Sequence, residues 1–289
     1  MYIVLGGTGH IGSAVAETLL ESKKSVTVVA RDPAKADGLR RKGAKIAVAD
    51  IHDVDGLRNI FRNGKRLFLL NPPADPATNT DFEERRTISA ILAALDDSGL
   101  EKIVAESTYG AQAGEHIGDL GTLFDLEQGL KTKQIPVSII RAAYYMSNWD
   151  ASLQTAREQG VIHTLFPSDF ELPMVAPQDI GRIAAGLLIQ TAERTGPHYV
   201  EGPKRYTPAD VAATFANALA KPINVVTTPR DQWTKSFETI GFSKTAAKSY
   251  VGMTALTMDG SFPVLDEVER GSISLQDYVF ELAAEERSR

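Results

Sequence analysis

The sequence predicts an α/β fold organised around a doubly wound parallel sheet. Two observations carry this reading. Strand-sized runs of β-branched residues alternate with helical stretches through the first half of the chain. Four glycines, Gly6, Gly7, Gly9 and Gly12, crowd the first strand-to-helix junction. Continuous apolar strands separated by helices are strands covered on both faces, the pattern of a parallel sheet. A chain of 289 residues, 43% of them hydrophobic, can bury the core that such a fold needs.

The elements follow in order. YIVLG (2–6) reads as a short buried strand, and Ile11, Val15 and Leu19 then recur at helical spacing. SVTVVAR (25–31) and KIAVAD (45–50) are the second and third strands. RLFLLN (66–71), KIVAEST (102–108) and VSIIRA (137–142) are the fourth, fifth and sixth. Between them, 53–64 is helical and ends at an Asn-Gly stop, and 81–99 has a charged first turn and a glycine finish. Past Arg141 the texture changes. Helices are expected over 148–160, 177–192 and 207–221, and strands over 161–167, 196–203 and 223–229, with the remainder mostly helical. Thr207 is the expected N-cap of its helix, with Pro208 at the first position and Asp210 at the third. There is no long linker, repeat or low-complexity segment. The expected organisation is a nucleotide-binding domain over 1–150 and a smaller substrate-side lobe over 151–289, interleaved with the end of the sheet.

Composition removes several classes of function. The net charge is −6, which disfavours direct binding to nucleic-acid phosphates. The absence of cysteine excludes disulfides, zinc-thiolate sites and thiol nucleophiles. A strand beginning at residue 2 leaves no room for a signal peptide, and no apolar run approaches the ~20 residues that span a bilayer. The expectation is a cytoplasmic protein, monomeric or homodimeric, without membrane contact. His52, His116, His163 and His198 show no metal-ligand spacing, and no metal site is expected. No Gly-x-Ser-x-Gly nucleophile elbow occurs either.

The glycines point to a dinucleotide. Gly6-x-x-Gly9-x-x-Gly12 follows a strand and opens a helix. One glycine permits the turn, one lets the backbone approach a pyrophosphate, and the last lets the helix pack closely. The helix N-terminus then offers free N–H groups to the anion, so Gly6, Thr8, Gly9, His10, Ile11 and Gly12 are the expected cradle. His10 contributes its backbone N–H before its ring. The second strand ends Val29-Ala30-Arg31-Asp32. An acid at this tip suits the ribose of NAD, whereas a planar, permanently charged arginine suits a 2′-phosphate. Arg31 therefore favours NADP(H) over NAD(H). The alternative makes Arg31 a solvated surface charge and gives the ribose to Asp32. Asp50 and Ile51 end the third strand beside the expected adenine position, though Asp50 serves equally well as a helix N-cap. Asn71 and Pro72 follow the fourth strand, where proline ends the sheet and forms a rigid wall beside the cofactor.

These residues carry a resemblance. GGTGHIG (6–12), VARDP (29–33), VADIHD (48–53) and FLLNPP (68–73) resemble the NmrA-like group of atypical short-chain dehydrogenases/reductases. So do LEQGLKTKQIPVSIIRAAYYMSN (126–148) and QDIGRIAAGLL (178–188) with YVEGPKRYTPADVA (199–212). The similarity spans nearly the whole chain and is most specific from Glu127 through Arg141 to Asn148. It implies a Rossmann-like doubly wound parallel sheet with a small C-terminal α/β substrate lobe. It also implies kinship with NADPH-dependent quinone reductases, triphenylmethane-type and isoflavone-like reductases, and NADP(H)-sensing regulators that do no chemistry. Short-chain dehydrogenases carry Tyr-x-x-x-Lys on the helix after the fifth strand. Counting back from Glu127 puts Asp119 at the tyrosine position and Leu123 at the lysine position, and no tyrosine of this chain has a lysine four residues on.

The expected function is reduction of a small planar acceptor such as a quinone by NADP(H). The alternative is a non-catalytic NADP(H)-binding regulator with a protein partner. Sugar-nucleotide epimerisation ranks last, because it relies on the missing pair. Four residues are candidates for the chemistry. Tyr109 follows the fifth strand at the carboxyl edge of the sheet. His116 lies in the glycine-rich loop AQAGEHIGDLG (111–121). Tyr144 and Tyr145 follow the sixth strand, one expected in the core and the other against a substrate cleft. Ser107 is expected near the nicotinamide ribose, or else in strand-end turn chemistry.

Overall fold

The computed structural model describes residues 1–191, 194–260 and 267–287. The first half alternates strand and helix: β1 (Tyr2–Leu5), α1 (His10–Glu21), β2 (Val26–Ala30), α2 (Asp37–Arg41), β3 (Lys45–Val48), α3 (Val54–Arg62), β4 (Arg66–Leu69), α4 (Thr80–Leu95), β5 (Lys102–Thr108), α5 (Asp119–Lys131) and β6 (Val137–Ala142). The second half is more broken. It holds β7 (Tyr144–Tyr145), α6 (Ser152–Gln159), β8 (Val161–Thr164), β9 (Leu172–Val175), α7 (Pro177–Ile189), β10 (Gly196–Glu201), β11 (Arg205–Tyr206), α8 (Pro208–Leu219), β12 (Asn224–Thr227), α9 (Trp233–Thr239), α10 (Lys244–Asp259), β13 (Glu269–Arg270) and α11 (Leu275–Arg287).

Eight strands form the main sheet in the order β13-β10-β6-β5-β4-β1-β2-β3, and every pairing is parallel. Strand order reverses between β1 and β4, which opens a crevice at their carboxyl ends. Successive residues of a strand face opposite layers, and the core divides accordingly. Val4, Val28, Phe68, Val104 and Ile140 pack against α1 and α7, whereas Ile3, Leu5, Leu67, Leu69 and Ile103 pack against α3, α4 and α5. Gly181 lets α7 lie directly on α1, since a Cβ there would stand 2.4 Å from Ala14 Cβ. The carbonyls at the end of α7 are satisfied by long cations from the sheet. Arg66 reaches the carbonyls of Leu188 and Gln190, and Lys102 Nζ donates to Thr191 O at 2.9 Å.

A third core cluster lies in the C-terminal half, where Trp149, Phe166, Leu172, Tyr206, Phe215 and Val279 pack together. It carries the small sheets β11-β9-β7 and β12-β8. The capping box at Thr207 and Asp210 forms as expected.

Several boundaries differ from expectation for local reasons. The third strand stops at Val48 because the Asp50 carboxylate accepts from His52 N at 2.8 Å and turns the chain. Helix α4 ends at Leu95, before Asp97 (φ +57°) and Gly99 (φ +68°) take left-handed conformations. The strand expected over 161–167 ends at Thr164, whose hydroxyl accepts from Phe166 N at 3.1 Å. The segment expected as one helix from 148 is a 3₁₀ turn over Met146–Trp149 followed by α6. Strands β7, β9, β11 and β13 are too short or too isolated to announce themselves in the sequence. Residue 192 of the expected 177–192 helix, and 261–266 and 288–289 of the expected helical remainder, lie outside the described residues.

Candidate functional site

The glycine loop joins β1 to α1 at the crevice. Gly6 has φ +73°, a conformation open to glycine at little cost. Gly12 is required by packing, since a Cβ there would lie 2.2 Å from Gly6 O and 2.8 Å from Gly7 Cα. Gly9 differs. Its backbone is extended, and a Cβ would meet only Gly6 O, at 3.6 Å. Nothing among the described residues demands glycine at position 9, and the space over its Cα is open to a ligand. Gly9 is also the N-cap of α1 and supplies no side-chain cap, leaving the first-turn N–H groups of His10, Ile11 and Gly12 facing the crevice uncapped.

Beside this loop, a cavity of about 420 Å³ opens over the ends of β1, β2, β3 and β4. It brings together Gly6, Thr8, Arg31, Asp50, Ile51 and Pro72 from four separate loops. Arg31 is exposed at its rim. Its neighbour Asp32 is committed elsewhere, accepting from Ala34 N at 3.0 Å to cap the 3₁₀ turn at Pro33–Ala36. The cap of α3 is Asp53, not Asp50. Asn71, next to Pro72 but outside the cavity lining, has a buried Oδ1 with no hydrogen-bond partner among the described residues. A cradle open at Gly9, an uncapped helix N-terminus, an arginine at the β2 tip and an orphaned acceptor after β4 together fit a dinucleotide phosphorylated on its ribose.

Other expected residues take different places. Ile11 keeps its side chain in the core, so only its N–H faces the loop. The His10 ring is exposed, with Nε2 3.9 Å from Asp150 Oδ2. Ser107 turns inward and donates to Glu127 Oε1 at 2.6 Å. Glu127 in turn receives Arg141 through Nε at 2.9 Å and Nη2 at 2.7 Å. The most specific stretch of the resemblance is thus partly a buried clamp tying α5 to β6. Tyr109 also turns inward. It is 7% exposed, donates to Glu201 Oε1 at 3.1 Å, and has its phenol pushed up by burial and by that carboxylate. His116 has φ +56° and a buried Nδ1 without a hydrogen-bond partner among the described residues, and its carbonyl lies against Gly252 of α10. Tyr144 joins the aromatic packing of the C-terminal half, with its ring edge-on to Phe166 at 5.8 Å. Burial pushes its phenol up to about 12, against a hydrogen bond with Asn148.

Tyr145 donates its hydroxyl to Glu106 Oε1, a buried acid with no arginine beside it among the described residues, unlike the Glu201 partner of Tyr109. Glu106 is 4% exposed, near the end of β5. Burial pushes its carboxyl up to about 8; the Tyr145 hydrogen bond opposes this and the nearby Asp119 adds to it. Asp119 itself is raised by burial and by Asp81. Glu84 is raised to about 7 by burial and Asp119, with hydrogen bonds from Thr122 and Ala74 opposing. These acids were not among the expected site residues. The available signal was Glu106 itself, an acid directly after the apolar run IVA in the strand KIVAEST.

The comparisons with known proteins agree with this architecture. The model of the NmrA-like family matches residues 2–269, and the chain belongs to that family. It is 23% identical over 271 residues to the NAD(P)H azoreductase of Xenophilus azovorans, covering 93% of this chain and 92% of that one. It is 23% identical over 249 residues to quinone oxidoreductase 2 of Escherichia coli (strain K12), covering 83% and 82%. Among solved structures, the triphenylmethane reductase of Citrobacter sp. complexed with NADP(H) shares the fold with a TM-score of 0.82 at 17% identity, covering 98% of this chain and 100% of that one.

Proposed function

We propose that this protein is an NADP(H)-dependent oxidoreductase that reduces a small planar acceptor such as a quinone. The observation that carries the reading is the cavity where the glycine loop, Arg31 and Asp50 meet at the switch point of the sheet. Family membership and the named activities of the azoreductase and quinone-oxidoreductase relatives support it.

In this reading the N–H groups of His10, Ile11 and Gly12 bind the pyrophosphate, helped by the positive end of the α1 dipole. Arg31 pairs with the 2′-phosphate as a charge-assisted fork. Ile51 and Pro72 flank the adenine and Asp50 lies at its edge. Residues 1–150 hold the cofactor, and 151–289 form the wall on the acceptor side. When bound, the nicotinamide supplies a hydride. No tyrosine has a lysine four residues on. Acceptors that spread charge over a ring therefore suit the site better than simple ketones, whose oxygen needs a positioned acid worth ~10²–10⁴-fold.

The test is NADPH and NADH titration by calorimetry, followed by loss of NADPH absorbance against a panel of quinones, azo compounds, ketones and secondary alcohols. Tight NADPH binding with turnover of quinones or azo compounds alone is expected. Tight binding without consumption of any acceptor would turn the reading to a cofactor-sensing regulator. Absence of NADPH binding would refute it.

A further inference from the structure

We propose that Tyr145 and Glu106 are the proton-delivery pair of this site, Tyr145 presenting its hydroxyl to the reduced acceptor and Glu106 replenishing it. The proposal rests on the oxidoreductase reading and names a residue pair which that reading leaves open.

Four glutamates, Glu84, Glu106, Glu127 and Glu201, are buried among the described residues, and two of them carry a cation. Glu127 holds Arg141 in two hydrogen bonds. Glu201 holds Arg270 at 2.9 Å and faces Arg205 at 3.7 Å. Glu106 has neither. The groups that act on it are the Tyr145 phenol from β7 and the Asp119 carboxyl from the start of α5. Behind Asp119 stand Asp81 and Glu84 of α4, and Tyr250 of α10 faces all three acids. A buried carboxyl with no cation and acids for neighbours keeps its proton, and its titration moves up to about 8. Glu106 therefore holds a proton at neutral pH where Glu127 and Glu201 make ion pairs.

The pair stands where the reacting end of a dinucleotide belongs. Val4 is in register with Phe68, and Leu69 with Ala105, so Gly6, Leu70 and Glu106 share one level across β1, β4 and β5. Two strand spacings put Glu106 about 10 Å along the sheet edge from the first glycine. Within the cavity, the adenosine-side residues Arg31, Asp50 and Ile51 follow β2 and β3, across β1 from the wall formed by Pro72 to Thr78 after β4. A dinucleotide whose pyrophosphate crosses α1 must then extend its reactive end toward β4 and β5. The segment after Tyr145 returns to the glycine loop, where Asp150 approaches His10.

The step balances. A quinone that has received a hydride, with its two electrons, carries one anionic oxygen. That oxygen takes the Tyr145 hydroxyl proton, and the Glu106 carboxyl proton passes to the Tyr145 oxygen. Glu106 is left as a carboxylate and regains its proton from water. With Glu106 ionised, the phenol proton is held toward the carboxylate. With Glu106 protonated, the carboxyl donates to the phenol oxygen and frees the phenol proton for the acceptor. Delivery is gated by the Glu106 proton.

The test uses Glu106→Gln and Tyr145→Phe in the full chain, with NADPH affinity by calorimetry as the check on folding. pH-difference infrared spectroscopy of the cofactor-free protein is expected to show a protonated carboxyl titrating near pH 8, absent in Glu106→Gln and retained in Tyr145→Phe. With NADPH and a quinone, wild-type kcat is expected to fall tenfold per pH unit above that point. Each variant is expected to be at least tenfold slower at pH 7, with NADPH affinity kept, and Glu106→Gln loses the downturn. A wild type with no carboxyl titrating near pH 8, or variants with wild-type rate and downturn, would overturn the pair while leaving the oxidoreductase reading intact. A wild type that consumes no acceptor would overturn that reading, and the pair with it.

Discussion

Replacing Gly12 by alanine and Gly9 by valine should separate what the glycine loop does for the fold from what it does for a ligand. At Gly12 the new methyl would stand 2.2 Å from Gly6 O, 2.7 Å from Gly6 C and 2.8 Å from Gly7 Cα. All three are backbone atoms, so the loop or the helix must move. Forced packing of this kind costs about 1–3 kcal/mol. Alanine returns up to about 1 kcal/mol through its better helix propensity. A net loss of about 1–2 kcal/mol lowers Tm by about 2–3 °C in a chain of this size. At Gly9 the extended backbone (φ −88°, ψ 171°) accepts a β-branched residue, and the only close neighbour is Gly6 O at 3.6 Å. The exchange of N-cap residue costs about 1 kcal/mol at most. The valine side chain would, however, occupy the approach to the α1 N–H groups. Losing two charge-assisted hydrogen bonds, at about 1.5–3 kcal/mol each, predicts a loss of NADPH affinity of roughly 10²–10⁴-fold. The assay is thermal melting and calorimetric NADPH titration on both variants. The expected result is that Gly12→Ala loses stability and affinity together, whereas Gly9→Val loses affinity with Tm nearly kept. A folded Gly9→Val protein with wild-type NADPH affinity would refute the reasoning, because the space at Gly9 would then have no ligand to explain it.

Two further outcomes are expected. Arg31→Ala should weaken NADPH binding about ten- to a hundredfold and leave NADH binding nearly unchanged, since one charge-assisted contact is at stake; equal losses for both cofactors would remove Arg31 from the 2′-phosphate. The protein should lose stability as pH rises from about 5 to 8. Glu84 and Glu106 titrate higher when folded than when unfolded, so the folded state holds more protons across that window. At about 1.4 kcal/mol per decade of pH for each group, the loss reaches several kcal/mol, read as a falling Tm that Glu106→Gln makes shallower. A Tm that rises over the same range would contradict the assigned environments.

Much of the fold was legible because its signals are local. The β-branched runs, the cap at Thr207, and the Gly6, Gly9 and Gly12 spacing depend on neighbours a few residues away. Arg31 and Asp50 could be placed at the cavity because a strand tip in a parallel sheet has only one edge to face. Where local chemistry was subtler, the boundaries slipped. The Asp50 turn ended β3 early, and the Thr164 hydroxyl ended β8.

Pairings across long separations were decided by tertiary structure. Tyr109 and Ser107 read as edge residues in the sequence, yet the fold turns both inward, to Glu201 and Glu127. Tyr144 and Tyr145 are adjacent and chemically identical, and alternation along β7 sends one to the aromatic core and the other to Glu106. The sequence by itself determined an α/β chain with a dinucleotide-type loop, because dihedral preference, capping and hydrophobic period act over a turn or a strand. The tertiary structure decided which buried acids received an arginine and which kept a proton. Charge compensation in an interior depends on distances set by strand register and helix packing, and no local rule supplies those distances.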